Sequence, residues 1–418
     1  MPFEFFMALR YLRAKRRSAF VSIITILSAL GVAVGVMALI IVLAVMTGFE
    51  EDLKEKILGT NAHIMVTRGG EGIANYRSLM EELQRLPGVE AATPFTYNQV
   101  MIAAGSEVSG IVVRGIDPAT DPRVTNLSQH LTRGSLKELE QTHGPSAMPG
   151  IIVGKELASN LGLMVGESIS VISPLGTMTP VGMIPKMKNF RLVGIFDTGM
   201  LEYDTSLALI SLPSAQAFFG TGDRVTGIQL RVTDIYGTGK LTAEINQMLD
   251  PSYVARDWMQ MNRNILFALK TEKTMMFIIL TLIILVAALG IASMMFMVVL
   301  EKARAIAILK SMGATGRTIM TIFVLEGLLI GVTGTVIGLV AGISFALNIQ
   351  KVVDLIQRLT GWTLFNPNVY YLDHFPSRVV PMDVTVIALT AIAISLAATL
   401  YPAWQASRLA PAEALRYE

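Results

Sequence analysis

The chain contains no cysteine and comparatively little charge. Without thiols it can form no disulfide bond or thiolate metal site, and it has no cysteine nucleophile and no cysteine for lipid attachment. Only 16% of its 418 residues are charged, against about 25% in a typical soluble domain. The net charge of +2 is too small to indicate a nucleic-acid partner.

Common catalytic motifs are missing as well. There is no GxxxxGK[ST] phosphate loop, since Gly154 and Lys155 are followed by Glu156. The four histidines have no metal-ligand spacing, and no GxSxG motif is present. We therefore predict no catalytic residues, no metal and no cofactor. Any energy that the protein uses must come from a partner.

Four stretches explain the shortage of charge, because together they hold one charged residue, Glu326. Each is longer than the about 20 residues that a helix needs to cross about 30 Å of hydrocarbon. We predict transmembrane helices at residues 18–49 (with a stalk), 274–300, 318–350 and 384–407. A soluble enzyme is thereby excluded.

The distribution of basic residues predicts the orientation. Residues 1–17 hold five Lys or Arg against one acid, and residues 301–317 hold four against one, so both segments are expected in the cytoplasm. The loop 351–383 balances three basic residues with three acidic ones, as expected on the far side. Both termini, including the tail 408–418, are then cytoplasmic. Residues 50–273 lie outside the cytoplasmic membrane.

This outer segment has the pattern of a mixed α/β domain. Helical periodicity covers residues 75–86 and 238–249, and both runs end at proline-containing turns. Short β-rich runs are found at 63–67, 111–116, 169–173, 190–196, 207–210 and 227–233. The predicted fold class is a membrane protein of four transmembrane helices, with a large mixed α/β extracytoplasmic domain inserted between the first and second helices.

Residues 173–189 lie between two predicted strands and contain three prolines and two glycines. Pro180 and Pro185 each restrict φ to about −65°, while Gly182 permits a sharp reversal. We expect an exposed and stiff hairpin or loop, which would present its apolar residues to a partner.

A short amphipathic segment, EKARAIAILKSMGAT at Glu301–Thr315, follows the second predicted span. It ends at Gly313, a residue typical of helix C-termini. Its apolar face consists of Ala305, Ile306, Ile308, Leu309 and Met312. Two interpretations are open: an interfacial helix anchored by Lys and Arg, or a docking helix for a cytoplasmic motor.

Within the membrane segments, Gly31 and Gly35 have the four-residue spacing that permits close helix packing. Glu326 lies about two turns inside the third span. An acid at this depth is a functional candidate, but near the end of a span it can also reach the interface or bond a neighbouring helix.

The order of one span, a large outer domain and three further spans resembles the MacB-like class of ABC transporter permeases. Four long segments are more specifically similar to the LolC/LolE permeases, which release lipoproteins from the bacterial inner membrane. These segments are Gly31–Glu50, Ile151–Ser173, Phe190–Asp204 and Tyr401–Glu418. The run TPVGMIPK at Thr179–Lys186 resembles the hook by which LolC-type subunits recruit the periplasmic chaperone LolA.

The resemblance implies an inner-membrane permease that is not itself an enzyme. Its expected partners are a LolD-like ATPase dimer, a second permease (LolE-like or another copy of this chain), a LolA-like chaperone and lipoprotein substrates. The implied chaperone-binding hook comprises Thr179, Pro180, Val181, Gly182, Met183, Ile184 and Pro185. The implied ATPase-coupling residues are Glu301, Arg304, Ala305, Ile306, Ile308, Leu309 and Gly313.

The resemblance also implies an apolar cavity for acyl chains. We expect Val42 and Met46, one helical turn apart, to line this cavity together with Ile284; the alternative is that they face lipid. Two rival functions share the topology. A MacB-type efflux or mechanotransmission permease is disfavoured by the hook sequence and the lack of a fused nucleotide-binding domain. An FtsX-like signalling regulator is disfavoured by the 224-residue length of the outer segment.

Overall fold

The computed structural model describes Glu4, Met7 and residues 19–70, 72–105, 107–143, 148–179, 182–361 and 375–410. This part of the chain forms two compact units. Residues 53–266 make up the outer unit. The second unit, called here the membrane unit, consists of residues up to Asp52 and from Phe267 onward.

The α-helices, in chain order, are α1 (Ala19–Thr60), α2 (Tyr76–Gln84), α3 (Asp121–Val124), α4 (Lys155–Asn160), α5 (Leu201–Ser206), α6 (Leu212–Phe219), α7 (Thr238–Met248), α8 (Trp258–Met261), α9 (Arg263–Glu301), α10 (Ala303–Ser311), α11 (Gly316–Leu347), α12 (Ile349–Thr360) and α13 (Pro381–Arg408). The strands are β1 (Ile64–Arg68), β2 (Val89–Ala104), β3 (Glu107–Ile116), β4 (Leu131–Arg133), β5 (Thr142–His143), β6 (Met148–Gly154), β7 (Ser168–Thr179), β8 (Gly182–Phe196), β9 (Leu207–Ser211), β10 (Gly227–Val232) and β11 (Tyr253–Asp257). Two 3-10 helices, Leu127–His130 and Leu136–Glu140, flank β4.

The outer unit is built on one mixed β-sheet. Its strand order is β11-β1-β10-β2-β3-β9-β6-β8-β4, with β7 paired to β2 and β8, and β5 paired to β6. Only β3 with β9 and β6 with β8 are parallel among the paired strands described. Each of the six predicted strand regions forms a strand, and both predicted helices are present as α2 and α7. The expectation of mixed α/β structure is therefore confirmed.

Alternation of side chains explains how this sheet is buried. In β10, Ile228, Leu230 and Val232 are all buried, and they pack with Ile64 and Val66 of the neighbouring β1. Successive strand residues point to opposite faces, so every second residue faces this cluster. A separate apolar cluster combines buried side chains of β6, β7, β8 and β9 with buried side chains of α4 and α6, which pack against them.

In the membrane unit, four described helices are long and apolar enough to cross a bilayer: α1 from Ile23 to Gly59, α9, α11 and α13. With 42 and 39 residues, α1 and α9 are each about 60 Å long at 1.5 Å per residue. Each is therefore about twice as long as the hydrocarbon core of a bilayer is thick. The third apolar helix ends at Leu347, and an amphipathic helix, α12, follows where the sequence predicted a loop.

Candidate functional site

The predicted coupling segment forms the short helix α10. The chain breaks out of helical geometry at Lys302, immediately after Glu301 ends α9, and helix resumes at Ala303. Ile306 and Ala307 are buried in the core of the membrane unit. Ile308 and Met312, one helical turn apart, are 45% and 80% exposed. The predicted apolar face is therefore divided into an inward half and an outward half.

The C-terminal end of α10 is held by specific hydrogen bonds. Gly313 has φ of +103°, a left-handed conformation that glycine adopts without strain. Its N–H donates to Lys310 O, and Ala314 N–H donates to Leu309 O, which caps the helix. Lys310 Nζ donates to Ser407 O at 2.6 Å and to Leu409 O at 2.8 Å. The helix is thus attached to the end of α13.

A ladder of aromatic and basic side chains lies along that end of α13. The rings of Tyr401 and Trp404 stack with centroids 6.1 Å apart, and the Arg408 guanidinium lies 4.0 Å from the Trp404 ring centroid. Phe296 of α9 meets Tyr401 edge-on at 5.5 Å. This feature was not predicted from the sequence, although the spacing of residues 401, 404 and 408 places the three on one helical face.

The backbone of the predicted hook forms a hairpin of β7 and β8. Its register pairs Ser173 with Lys186, is interrupted, and resumes from Thr177 paired with Ile184 to Thr179 paired with Gly182; Met178 pairs with Met183 between them. Proline has no N–H to donate to a ladder, so Pro174 and Pro185 account for the interruption. Pro185 is exposed. The predicted hook residues Pro180 and Val181 lie outside the described residues.

The small residues of the first span face the second apolar helix. A Cβ added at Gly31 would lie 3.6 Å from Ala287 Cβ, and one at Gly35 would lie 3.1 Å from Ile284 Cγ1. Of the residues predicted to line a cargo cavity, Val42 and Met46 are half-buried, whereas Ile284 is fully buried against Gly35. An open cavity at Ile284 would therefore require α1 and α9 to separate near Gly35.

A stripe of glycines on α11 was not identified from the sequence. Gly327 and Gly331 face Thr399 and Ser395 of α13. Further along the same face of α11, glycines face the backbone of α1 at three successive turns, at Gly334, Gly338 and Gly342. The signal was available, because residues 327, 331, 334, 338 and 342 recur at intervals of three or four.

Glu326 is embedded in this same part of α11. The residue is 3% exposed, and its Oε2 atom has no hydrogen-bond partner among the described residues. The described residues contain no group of three or more His, Asp or Glu side chains arranged to hold a metal ion.

Two family models match separate parts of the chain, and known proteins match almost all of it. Residues 25–248 match the MacB-like periplasmic core domain, and residues 277–411 match the FtsX-like permease C-terminal domain. The chain is 38% identical to the lipoprotein-releasing system transmembrane protein LolC of Neisseria meningitidis serogroup B, with 99% of each chain covered. It is 37% identical to LolC of Xylella fastidiosa strain Temecula1, covering 100% of this chain and 99% of that protein. It is 29% identical to LolE of Haemophilus influenzae, again with 99% of each chain covered.

Proposed function

The chain belongs to the LolC/LolE family of lipoprotein-releasing system transmembrane proteins, and on this premise we propose that it is a LolC-type permease subunit. It extracts outer-membrane-directed lipoproteins from the inner membrane and passes them to a periplasmic LolA-like chaperone. The observation that supports this proposal most strongly is the full-length match to LolC proteins of Neisseria meningitidis and Xylella fastidiosa at 37–38% identity.

In this proposal the protein crosses the inner membrane four times, with both termini in the cytoplasm and the outer unit in the periplasm. A LolD-like ATPase dimer supplies the energy, because the chain has no phosphate loop of its own. A second permease, either LolE-like or another copy of this chain, completes the membrane part of the transporter.

The physical difficulty of lipoprotein release explains why several subunits are needed. Moving three acyl chains of about 16 carbons from the bilayer into water would cost about 40 kcal/mol of free energy, at about 0.8 kcal/mol per CH₂. The chains must therefore pass from the bilayer to a protein cavity and from there to a chaperone without meeting water. Val42, Met46 and Ile284 are the residues we propose for the cavity.

The coupling role of α10 is tested by Ile308→Asp. Ile308 is 45% exposed, so the aspartate remains hydrated in the isolated chain and the fold is expected to tolerate it. In a docking groove that aspartate would have to lose its water without an ion-pair partner, at a cost of several kcal/mol. We expect the ATPase to be lost from the purified complex.

A matched control is Leu359→Asp, which places the same charge at an exposed apolar position on α12. This variant is expected to retain the ATPase. If the ATPase copurifies equally with both variants, and its activity still responds to lipoprotein, α10 is not the docking helix.

The chaperone step is tested by replacing residues 181–184 with a Gly/Ser linker. The two prolines lower the entropy lost when the hairpin binds a partner, and the replacement removes the apolar residues between them. We expect normal folding and ATPase assembly, but no capture of a LolA-like chaperone and retention of lipoproteins in the inner membrane.

The tip of another hairpin provides the control for this replacement. β2 ends at Ala104 and β3 begins at Glu107, and replacement of residues 104–107 with a Gly/Ser linker is expected to leave chaperone capture intact. If capture and lipoprotein release both survive replacement of residues 181–184, the hook assignment is wrong, and an efflux or signalling function becomes the better explanation.

The cavity assignment is tested with photo-crosslinkers at Val42 and Met46. Both positions are half-buried on α1, so a crosslinker there can reach a ligand between helices. We expect crosslinks to lipoprotein before ATP is added and their loss afterwards. Crosslinks to phospholipid alone would mean that the two residues face the bilayer.

A further inference from the structure

A cavity of about 330 Å³ opens in the membrane unit between α1, α9 and α13. Its lining includes Leu43, Lys270, Lys273, Phe277, Asp383 and Val386. Lys273 is the last charged residue before the charge-free run of α9, and Asp383 is the last before that of α13. The cavity therefore lies at the level where polar headgroups meet hydrocarbon.

The charges on the polar wall are unbalanced. Lys273 Nζ lies 3.0 Å from Asp383 Oδ2 and also donates to Thr47 Oγ1 at 3.0 Å. Lys270 is three residues away on the same face of α9, is exposed, and forms no ion pair with any described residue. The wall thus carries two cations and one anion, and the net charge is positive.

The opposite wall is apolar, because Leu43, Phe277 and Val386 come from three different helices. A ligand that matches both walls has an anionic head and a hydrocarbon chain. The acylated N-terminus of a lipoprotein carries no phosphate, so its lipid part offers no anion to Lys270. A phospholipid carries both parts, and its anionic headgroup is attracted by basic side chains near the membrane surface.

We propose that this cavity binds an anionic glycerophospholipid of the bilayer. The phosphate lies against Lys270 and Lys273, and one acyl chain contacts Leu43, Phe277 and Val386. Asp383 competes with the phosphate for Lys273, so the carboxylate limits the affinity. The bound lipid contacts residues of all three helices, α1, α9 and α13.

The test measures lipid binding to the full-length chain, purified with its ATPase, by native mass spectrometry. Delipidated protein is titrated with phosphatidylglycerol, phosphatidylcholine or diacylglycerol. One basic residue near a membrane surface is worth about fivefold in affinity for an anionic lipid. We expect phosphatidylglycerol to bind about fivefold more tightly than phosphatidylcholine, and diacylglycerol to bind most weakly.

Two substitutions should act in opposite directions. Lys270→Gln is expected to remove the preference for phosphatidylglycerol, while Asp383→Asn is expected to raise its affinity about fivefold, because Lys273 is then free to contact phosphate. Lys351→Gln and Asp354→Asn make the same charge changes on α12, outside the cavity, and are expected to change nothing.

Three results would overturn the proposal. Equal binding of diacylglycerol and phosphatidylglycerol would mean that the charged wall does not recognise the ligand. Equal effects of Lys270→Gln and Lys351→Gln would place the binding elsewhere. Displacement of the lipid by inorganic phosphate at equal concentration would mean that the apolar wall contributes nothing and that the site binds free phosphate.

Discussion

The tightest described contact between α11 and α1 can be tested at Gly338. A Cβ added there would lie 2.6 Å from Ala33 O and 2.8 Å from Val36 Cβ. Ordinary contacts of a Cβ fall between 3.4 and 4 Å. Ala33 O belongs to the backbone of a long helix and cannot rotate away, so Gly338→Ala must push the two helices apart by about 0.5–1 Å.

Separation on this scale has a predictable cost. A gap of 0.5–1 Å forfeits a quarter to a half of the dispersion attraction of each atom pair along the contact. Overpacking of this kind typically costs about 1–3 kcal/mol. Alanine also favours helix over glycine by up to about 1 kcal/mol, and this gain partly offsets the clash. With about 1 kcal/mol subtracted for helix propensity, we expect Gly338→Ala to lower the free energy of unfolding by up to about 2 kcal/mol.

Gly290→Ala separates these two effects. Gly290 lies in α9, and nothing stands within 4 Å of a Cβ built there, so this variant gains helix propensity without a clash. Reversible unfolding of the full-length chain in detergent should show Gly290→Ala at or above wild-type stability and Gly338→Ala below it. If the two variants are equally stable, the glycine contacts between α11 and α1 do not set the packing of the membrane unit.

Two further predictions concern the outer unit and α10. Burial raises the pKa of Asp204, although its Oδ1 accepts hydrogen bonds from Thr198 N and Oγ1. A raised pKa in the folded state means that stability falls as pH rises from the usual value of 3.8 through the folded pKa. Asp204→Asn should therefore gain stability relative to wild type as pH rises from about 4 to 7. A difference in melting temperature between the two proteins that stays constant across that pH range would contradict this. Lys310→Met removes two hydrogen bonds from an ammonium to carbonyls of the α13 end and should cost about 1–3 kcal/mol, with faster amide exchange in α10. Lys351→Met, which loses one exposed bond to Asn348, should change little.

Short β-rich runs and side-chain alternation predicted six of the eleven described strands of the outer unit. The alternation at Ile228, Leu230 and Val232 is an example, since the same three residues are buried in β10. The longest strand, β2, was not predicted. It contains Pro94, which normally argues against a strand with neighbours on both sides, yet Pro94 lies opposite Ile228 in the sheet. Pairing with three other strands outweighs this local preference.

The two surfaces of α10 could not be separated from sequence. Ile306 and Ile308 are the same residue type on one amphipathic segment, but only Ile306 is buried in the membrane unit. A hydrophobic pattern reports how apolar a face is and carries no information about which neighbour covers it. The break at Lys302 separates α10 from α9, so the rotation of α10 does not follow from the periodicity of α9.

The contacts of α10, α13 and α11 form a continuous mechanical connection within the membrane unit. A displacement of α10 acts on the carbonyl groups at the end of α13 through Lys310 Nζ. Along its length, α13 packs on α11 where Gly327 and Gly331 admit Thr399 and Ser395 without a gap. Further along the same face, α11 is in backbone contact with α1 at Gly338. Because closely packed helices move as a body more readily than they deform, force applied to α10 by a motor would move α1, the helix that carries Val42 and Met46.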